Sequence, residues 1–200
     1  MSTSPHLSLA DRKRQLVADE LSQAALTLLA ARGFEAVTVD EIAAAAGMSK
    51  RTFFRYFASK EDVVIQFLAE MGGRMRAELA ARPVGEPLSS VLHHTIWSAI
   101  DACAGQTEPA LRVVRLIMET PALRARFLER QAQWQDDLAL EIARRLRQDP
   151  TTDLYPQLAA GLALTAFRTV LQRWSTSNGA EDPGALTDQT FALIAPALDA

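Results

Sequence analysis

Residues 38–57 have the sequence TVDEIAAAAGMSKRTFFRYF, in which a run of alanines leads through a glycine to a cluster of aromatic residues. Thr38 is followed three residues later by Glu41, which is the spacing of a capping box at the start of a helix. Gly47 ends this first helix, and Ser49 is a suitable N-cap for a second one. Two short helices joined by such a tight turn are typical of a helix-turn-helix motif.

The second helix of the pair, predicted over about Lys50–Phe57, has two different faces. Phe53 and Phe57 are one helical turn apart, so they lie on one side and form an apolar seam. The opposite side and its flanks carry basic, polar and aromatic residues: Arg51, Thr52, Phe54, Arg55 and Tyr56. A helix that is anchored by its seam and basic on its outer side is suited to the major groove of DNA.

The longer sequence GFEAVTVDEIAAAAGMSKRTFFRYFASKEDVV, residues 33–64, resembles the DNA-binding signature of TetR-family transcriptional regulators. The resemblance spans about residues 10–64, with one small departure at Ala58, where many members have proline. It implies contacts with double-stranded DNA by Thr38, Lys50, Arg51, Thr52, Phe54, Arg55, Tyr56 and Lys60. We expect Arg51 to contact bases, because its guanidinium can pair with guanine O6 and N7. The resemblance assigns phosphate contacts to Tyr56 and Lys60.

Each of these residues also has a simpler interpretation. Phe54 and Tyr56 are then ordinary, partly exposed aromatic residues, and Arg55 only forms surface ion pairs. Lys60 would then be an ordinary residue at the start of a helix, without a DNA contact. A cation in the first turn opposes the helix dipole, however, and this conflict favours an external anion near Lys60.

The composition limits the class of protein. The chain has 200 residues, 48% of them hydrophobic, and a net charge of −3. This is enough for one large or two small domains with a proper core. The single cysteine, Cys103, excludes a disulfide framework and a Cys-x-x-Cys metal or redox motif.

Several functions have no support in the sequence. His93-His94 lacks a Glu-x-x-His partner and His6 lies in the N-terminal tail, so we expect neither a metal nor a cofactor. We find no nucleophile elbow and no glycine-rich phosphate loop, which argues against an enzyme. The N-terminus lacks the apolar segment of a secretory signal, and the longest apolar run is shorter than the ~20 residues that span a bilayer. We therefore expect a cytoplasmic protein without a membrane partner.

Helical periodicity continues along the whole chain, and no strand or hairpin pattern interrupts it. The predicted fold class is all-α, with about nine helices: an N-terminal three-helix helix-turn-helix domain over residues 8–62 and a larger helical domain over residues 63–200. The first helix starts at Ser8 and the second at Thr38, and the third covers residues 50–57. The others cover about residues 59–81, 88–104, 109–119, 122–147, 156–175 and 185–198.

The family resemblance implies that the larger domain binds a small-molecule effector and forms a homodimer. The candidates for an effector pocket are Trp97, Arg115, Met118, Phe127, Trp134 and Phe167. Residues 115–146, RLIMETPALRARFLERQAQWQDDLALEIARRL, also resemble the mycofactocin-system subgroup of actinobacterial-type regulators, which is associated with acyl-CoA-like ligands. The effector would then be apolar or acyl-CoA-like. The alternative is that these residues only fill the core.

Two further features of the larger domain have alternative interpretations. The last two helices are rich in small and apolar residues, and in the family they form the dimer interface; otherwise they complete the core of a monomer. Gly72-Gly73 falls within the fourth helix, where each glycine costs ~1 kcal/mol. The pair is either a compliant point that transmits effector binding, a close packing contact or an early helix end.

The sequence as a whole predicts a DNA-binding repressor that binds a palindromic operator as a homodimer and responds to a small molecule. A DNA-binding architectural protein without a ligand is the main alternative, and a helical-bundle enzyme is a weaker one. A filled core in the larger domain would favour the architectural protein, whereas a sizeable internal cavity would favour the effector-responsive regulator.

Overall fold

The structure, a computed structural model, describes residues 8–104 and 107–199, with side chains outside residues 102–107. Helices and short loops form all of this described part, which contains no strand. The helices are α1 (Leu9–Arg32), α2 (Val39–Ala45), α3 (Lys50–Tyr56), α4 (Lys60–Ala81), α5 (Leu88–Ala104), α6 (Thr107–Glu119), α7 (Pro121–Leu146), α8 (Tyr155–Thr176) and α9 (Pro183–Leu198). The all-α prediction is confirmed. His6 and the side chain of Cys103 lie outside the described residues.

The helix ends differ from the predicted ends by one or two residues. α7 begins at Pro121 and α9 at Pro183, whereas the sequence predicted starts at residues 122 and 185. Proline fits the first helical turn, because an amide hydrogen there has no intrahelical acceptor. Both prolines are therefore the first residue of their helix.

Side-chain caps fix the starts of the N-terminal helices. Ser8 and Asp11 form a capping box at α1, and Thr38 and Glu41 form the predicted one at α2. The hydroxyl of Ser49 accepts the amide of Thr52 at 3.1 Å and caps α3. Such caps satisfy amide groups that have no acceptor within the helix, and each contributes about 1 kcal/mol.

The chain forms two compact units that divide between Phe67 and Leu68, inside α4. The sequence placed its domain boundary slightly earlier, between residues 62 and 63. The core of the first unit combines apolar residues from all of its helices, namely Leu21, Ala25, Leu29, Ile42, Phe53, Val63 and Val64. This core holds α2 and α3 in place.

The second unit is a bundle in which α8 packs against both α7 and α9, and α9 also packs against α5. Its largest fully buried side chains are Phe127, Phe167 and Trp174. Small residues on α8, including Ala159, Ala160 and Ala163, are buried as well. Helices can approach closely where such small side chains face a neighbour.

Candidate DNA-binding surface

The turn between α2 and α3 depends on one glycine. Gly47 has φ +66°, a left-handed conformation that glycine adopts without the clash a Cβ would cause. The following amide, that of Met48, donates to the carbonyl oxygen of Ala43 at 2.8 Å. This bond closes the turn and brings α3 back across α2.

The inner face of α3 is anchored by two aromatic rings. Phe53 is fully buried and Phe57 is 3% exposed, and their ring centroids lie 5.5 Å apart. Phe54 packs its ring edge-to-face against Phe53 but remains 49% exposed. The helical wheel predicted this division of the aromatic cluster, and the structure confirms it.

The outer face of α3 presents cations to solvent. Arg51 and Arg55 are exposed, and within the described chain neither pairs with a carboxylate. The guanidinium of Arg55 lies 5.1 Å from the centroid of the half-buried Tyr56 ring. No acidic residue occurs in α3, so both arginines are available to an external anion.

On α3, Lys50 and Thr52 are predicted DNA contacts that are already bonded within the protein. The amine of Lys50 lies 2.8 Å from a carboxylate oxygen of Asp40, in a pair whose two side chains are more than half exposed. Such an exposed pair contributes at most about 1 kcal/mol, so a DNA phosphate can replace Asp40. The hydroxyl of Thr52 lies 2.9 Å from that of Ser49 and belongs to the N-terminal cap of α3.

Thr38 and Glu41 hold the start of α2 through reciprocal hydrogen bonds. The amide of Thr38 donates to Glu41 Oε2 at 2.8 Å, and Arg32 donates to the other carboxylate oxygen at 2.7 Å. The backbone bond from Thr38, followed by the side-chain bond from Arg32, lowers the pKa of Glu41 to about 2. The Glu41 carboxylate is therefore ionised at neutral pH, and its bond with Arg32 links α2 to the end of α1.

Lys60 has internal contacts that the sequence did not predict. Its Nζ donates to the carbonyl oxygens of Phe34, at 2.6 Å, and Val37, at 3.1 Å. It also lies 4.3 Å from the centroid of the Phe34 ring. The ammonium group has three N–H donors, so one donor is left for the predicted phosphate contact.

The predicted effector-binding residues of the second unit fall into two groups. Phe127, Trp134 and Phe167 are buried together, with centroid separations of 6.1 to 6.4 Å. Trp97, Arg115 and Met118 are half-buried, and no contact joins them to this aromatic cluster among the ring contacts and hydrogen bonds of the described side chains. Arg115 donates to the side-chain oxygen of Asn178.

Gly72 explains how Trp134 is accommodated. A Cβ on Gly72 would lie 2.1 Å from Nε1 and 2.4 Å from Cδ1 of Trp134, whereas a Cβ on Gly73 would meet nothing within 4 Å. α4 continues unbroken to Ala81, so an early helix end is excluded. Gly72 therefore makes a close packing contact with Trp134. That Gly72-Gly73 is a compliant point that transmits effector binding stays a prediction.

Two open grooves lie elsewhere. One, of about 480 Å³, is lined in the first unit by Glu20, Gln23, Ala24, Thr27, Leu28, Ala45 and Ala46. The other, of about 610 Å³, is lined in the second unit by Pro87, Leu88, Leu146, Gln148, Tyr155, Leu198 and Asp199. None of the predicted effector-binding residues lines either groove.

The described residues contain no group of three or more histidine, cysteine, aspartate or glutamate side chains that could hold a metal ion. His93 instead pairs with Asp188 at 2.7 Å and packs edge-to-face against Phe191. Among the described helices, none is both long and apolar enough to cross a membrane.

Comparison with known families assigns both parts of the chain. Residues 21–67 match the family of bacterial regulatory proteins named after TetR, and residues 86–199 match the MftR C-terminal domain. The chain belongs to the TetR family. Its relatives are transcriptional regulators, and the chain is a regulator of this kind rather than an enzyme.

Two relatives are similar over most of the chain. The transcriptional regulator TcmR of Streptomyces glaucescens is 32% identical over 179 residues, which cover 86% of this chain and 79% of that protein. A protein named as the mycofactocin biosynthesis regulator MftR of Mycobacterium tuberculosis is 33% identical over 181 residues, covering 86% and 89%. Alignments of this length include the helix-turn-helix and most of the second unit.

Solved structures share the fold at lower identity. The fatty acid degradation regulator FadR of Bacillus halodurans superimposes with a TM-score of 0.68 at 20% identity, covering 99% of this chain and 98% of that one. FadR of Bacillus subtilis, solved in complex with stearoyl-CoA, gives 0.67 at 21% identity, covering 88% and 97%. These structural likenesses show the fold.

Proposed function

We propose that this TetR-family regulator is a repressor that binds a palindromic operator as a homodimer and responds to an apolar or acyl-CoA-like small molecule in its second unit. As a DNA-binding regulator it would act in the cytoplasm. The observation that carries the DNA-binding part is the outer face of α3, where Arg51 and Arg55 are exposed and pair with no carboxylate of the described residues.

The anchoring of α3 supports its role in base recognition. A side chain can select a base only if its helix is held firmly, and the burial of Phe53 and Phe57 provides that support. The fork of Arg51 suits guanine, whereas the ammonium of Lys50 suits a phosphate oxygen. Phe54, half-exposed beside them, is suited to a sugar or a thymine methyl group.

Exposed apolar residues on the last two helices support a dimer. Leu158 on α8 is 62% exposed and Leu193 on α9 is 82% exposed. Leu162, Thr165 and Thr169 continue the α8 stripe at helical spacing. A second copy of the chain would cover these side chains, and a dimer can contact two half-sites that are one DNA turn, about 34–36 Å, apart.

The effector proposal rests on the relatives and on the buried aromatic cluster. The second unit matches the MftR C-terminal domain, and a FadR of the same fold binds stearoyl-CoA. Because Phe127, Trp134 and Phe167 pack ring against ring, an effector has to displace at least one of these rings. Arg115 donates to the neutral side chain of Asn178 and pairs with no carboxylate of the described residues, so it is a candidate partner for an anionic headgroup.

Fluorescence anisotropy with duplex DNA tests the proposal. The protein should bind its operator more tightly than random duplex, with an affinity that falls steeply as salt increases, because phosphate contacts release counterions. Long-chain acyl-CoA should shift the operator affinity, whereas free coenzyme A should not. Equal affinity for all duplexes would contradict the regulator proposal.

A DNA-binding regulator without a small-molecule effector is a second candidate, because the aromatic rings of the second unit pack against one another. Sequence-selective binding without any response to acyl-CoA or to other apolar ligands would favour it. A shift in the fluorescence of Trp134 on ligand addition would favour the effector-responsive regulator. The variant Trp134→Phe controls for signals from the other tryptophans.

A further inference from the structure

The chain uses lysine in only three places, and all three lie in the first unit. Lys13, Lys50 and Lys60 are its lysines, whereas every cation of the second unit is an arginine. Most cations of the chain are therefore guanidinium groups, whereas position 60 has an ammonium group. The contacts of Lys60 provide a physical reason for this choice.

The ammonium of Lys60 bridges two carbonyl oxygens of the loop between α1 and α2. It lies 2.6 Å from the oxygen of Phe34 and 3.1 Å from that of Val37. Within the described chain, neither oxygen accepts a backbone amide. A compact head with tetrahedral donors can satisfy both, whereas the guanidinium is planar and longer.

These hydrogen bonds join the two ends of the helix-turn-helix. Val37 immediately precedes the N-cap of α2, and Lys60 is the first residue of α4. The hydrogen bond between them therefore joins the two ends of a segment that contains α2 and α3. The loop carbonyls have few other partners; Arg32 donates weakly to Ala36 at 3.4 Å. The position of α2, and therefore of α3, depends on this closure.

We propose that Lys60 is a positioning residue, which clamps both ends of the helix-turn-helix and leaves its third N–H for a DNA phosphate. This inference rests on the proposed DNA-binding function. It adds that Lys60 acts on base recognition through α2 and α3, without touching a base. A cation at the start of α4 opposes the helix dipole, and the two carbonyl oxygens compensate for that cost.

The clamp can be tested without DNA, which separates it from the proposed function. The full-length protein is treated with a trace of an amine-reactive ester, and peptide mass spectrometry follows each of the three lysines. Lys60 should react at least about tenfold more slowly than the exposed Lys13, because acylation requires its hydrogen bonds to break. Equal rates at Lys60 and Lys13 would overturn the clamp.

Variants test the positioning role in DNA binding. Lys60→Met removes the charge and the clamp, whereas Lys60→Arg keeps only the charge. Both should accelerate amide hydrogen exchange in residues 37–45, and both should weaken operator binding by about tenfold or more. Lys13→Arg is the matched control and should bind normally, because Lys13 is exposed on α1 and is not among the predicted DNA contacts.

The salt dependence of operator binding separates positioning from phosphate contact. For Lys60→Arg the slope should match that of the parent protein, since the charge is retained. For Lys60→Met the slope should fall by about one for each protomer. Parent-like affinity of Lys60→Arg would overturn the positioning role, and an unchanged slope in Lys60→Met would overturn the phosphate contact.

Discussion

The two units of the molecule place their positive charges in different surroundings. In the second unit, six arginines pair with carboxylates: Arg76, Arg82, Arg112, Arg126, Arg144 and Arg173. On α3 of the first unit, Arg51 and Arg55 have no carboxylate partner in the described chain. Net charge does not reveal this difference, because the whole chain is slightly acidic. Two arginines without local partners, side by side on the anchored helix of a helix-turn-helix, mark a surface for an external anion.

The second unit also differs in what it leaves uncovered. The outer face of α3 is mostly charged, whereas the exposed positions of α8 and α9 include large apolar side chains such as Leu158 and Leu193. Charged surfaces suit DNA, and apolar surfaces suit another protein chain. This difference supports the proposal that the first unit contacts DNA and that the second unit self-associates.

The largest expected effect comes from breaking the proposed dimer. Leu193→Glu places a charge in the apolar face of α9, and we expect a monomer by sedimentation and an operator affinity reduced about 100-fold or more, because one half-site binds weakly alone. Leu140→Glu is the matched control, since Leu140 is 56% exposed on α7, outside that face. A fully dimeric Leu193→Glu protein would remove self-association from this surface.

The next effect concerns base recognition by α3. Arg51→Ala should weaken operator binding by about 1–3 kcal/mol per half-site and relax the preference at one base pair. Arg124→Ala, an exposed arginine on α7 without a carboxylate partner, should leave binding unchanged. The measurement is a titration with cognate and random duplexes. Equal losses on both duplexes would assign Arg51 to the phosphates.

Substitutions of the neighbouring Gly72 and Gly73 in α4 test how the second unit is packed. Gly72→Ala should destabilise the protein by about 1–3 kcal/mol, because its Cβ would overlap the indole of Trp134. Gly73→Ala should stabilise it by about 1 kcal/mol, because its Cβ meets nothing and alanine favours the helix. Urea unfolding of both variants checks this. The same sign for both changes would contradict the packing role of Gly72.

The smallest effect is a pH dependence in the first unit. The folded pKa of Glu41 is about 2, below its ordinary value of 4.5, so ionised Glu41 stabilises the fold above about pH 4.5 and this stabilisation is lost as the pH falls towards 2. The difference in melting temperature between the parent protein and Glu41→Gln should therefore shrink over that range. A difference that stays constant down to pH 2 would show that the capping box does not depend on the charge.

The sequence predicted the helices and the faces of α3 well, for a physical reason. Caps such as Thr38 and Glu41 act over three residues, and the seam of Phe53 and Phe57 follows from the helical period alone. Both signals are local, so a single sequence contains them. The family resemblance then supplied the interpretation of the exposed side.

The contacts that the sequence did not reveal connect distant parts of the chain. Lys60 donates to carbonyl oxygens 26 and 23 residues away. Because every residue has a backbone carbonyl oxygen, the residue types do not indicate which one accepts a hydrogen bond. The one available signal was an unfavourable cation in the first turn of α4. Likewise, only the fold shows that Gly72 lies against Trp134.

The effector site was the least predictable part. Apolar stripes correctly indicated that Phe127, Trp134 and Phe167 are buried, but burial is common to a core and to a pocket. Whether space opens between such rings depends on packing, which a pattern of residue types does not specify. Ligand binding, rather than the pattern of residue types, therefore tests the proposed pocket.

Selection of duplexes from a random DNA pool tests whether α3 recognises DNA bases in a two-fold symmetric dimer. The parent protein should enrich an inverted repeat whose half-site centres lie about 10–10.5 base pairs apart, or a multiple of this spacing. Arg51→Ala, selected in parallel, should lose the preference at one position in each half-site. An unenriched pool, or the same motif from both proteins, would contradict the account.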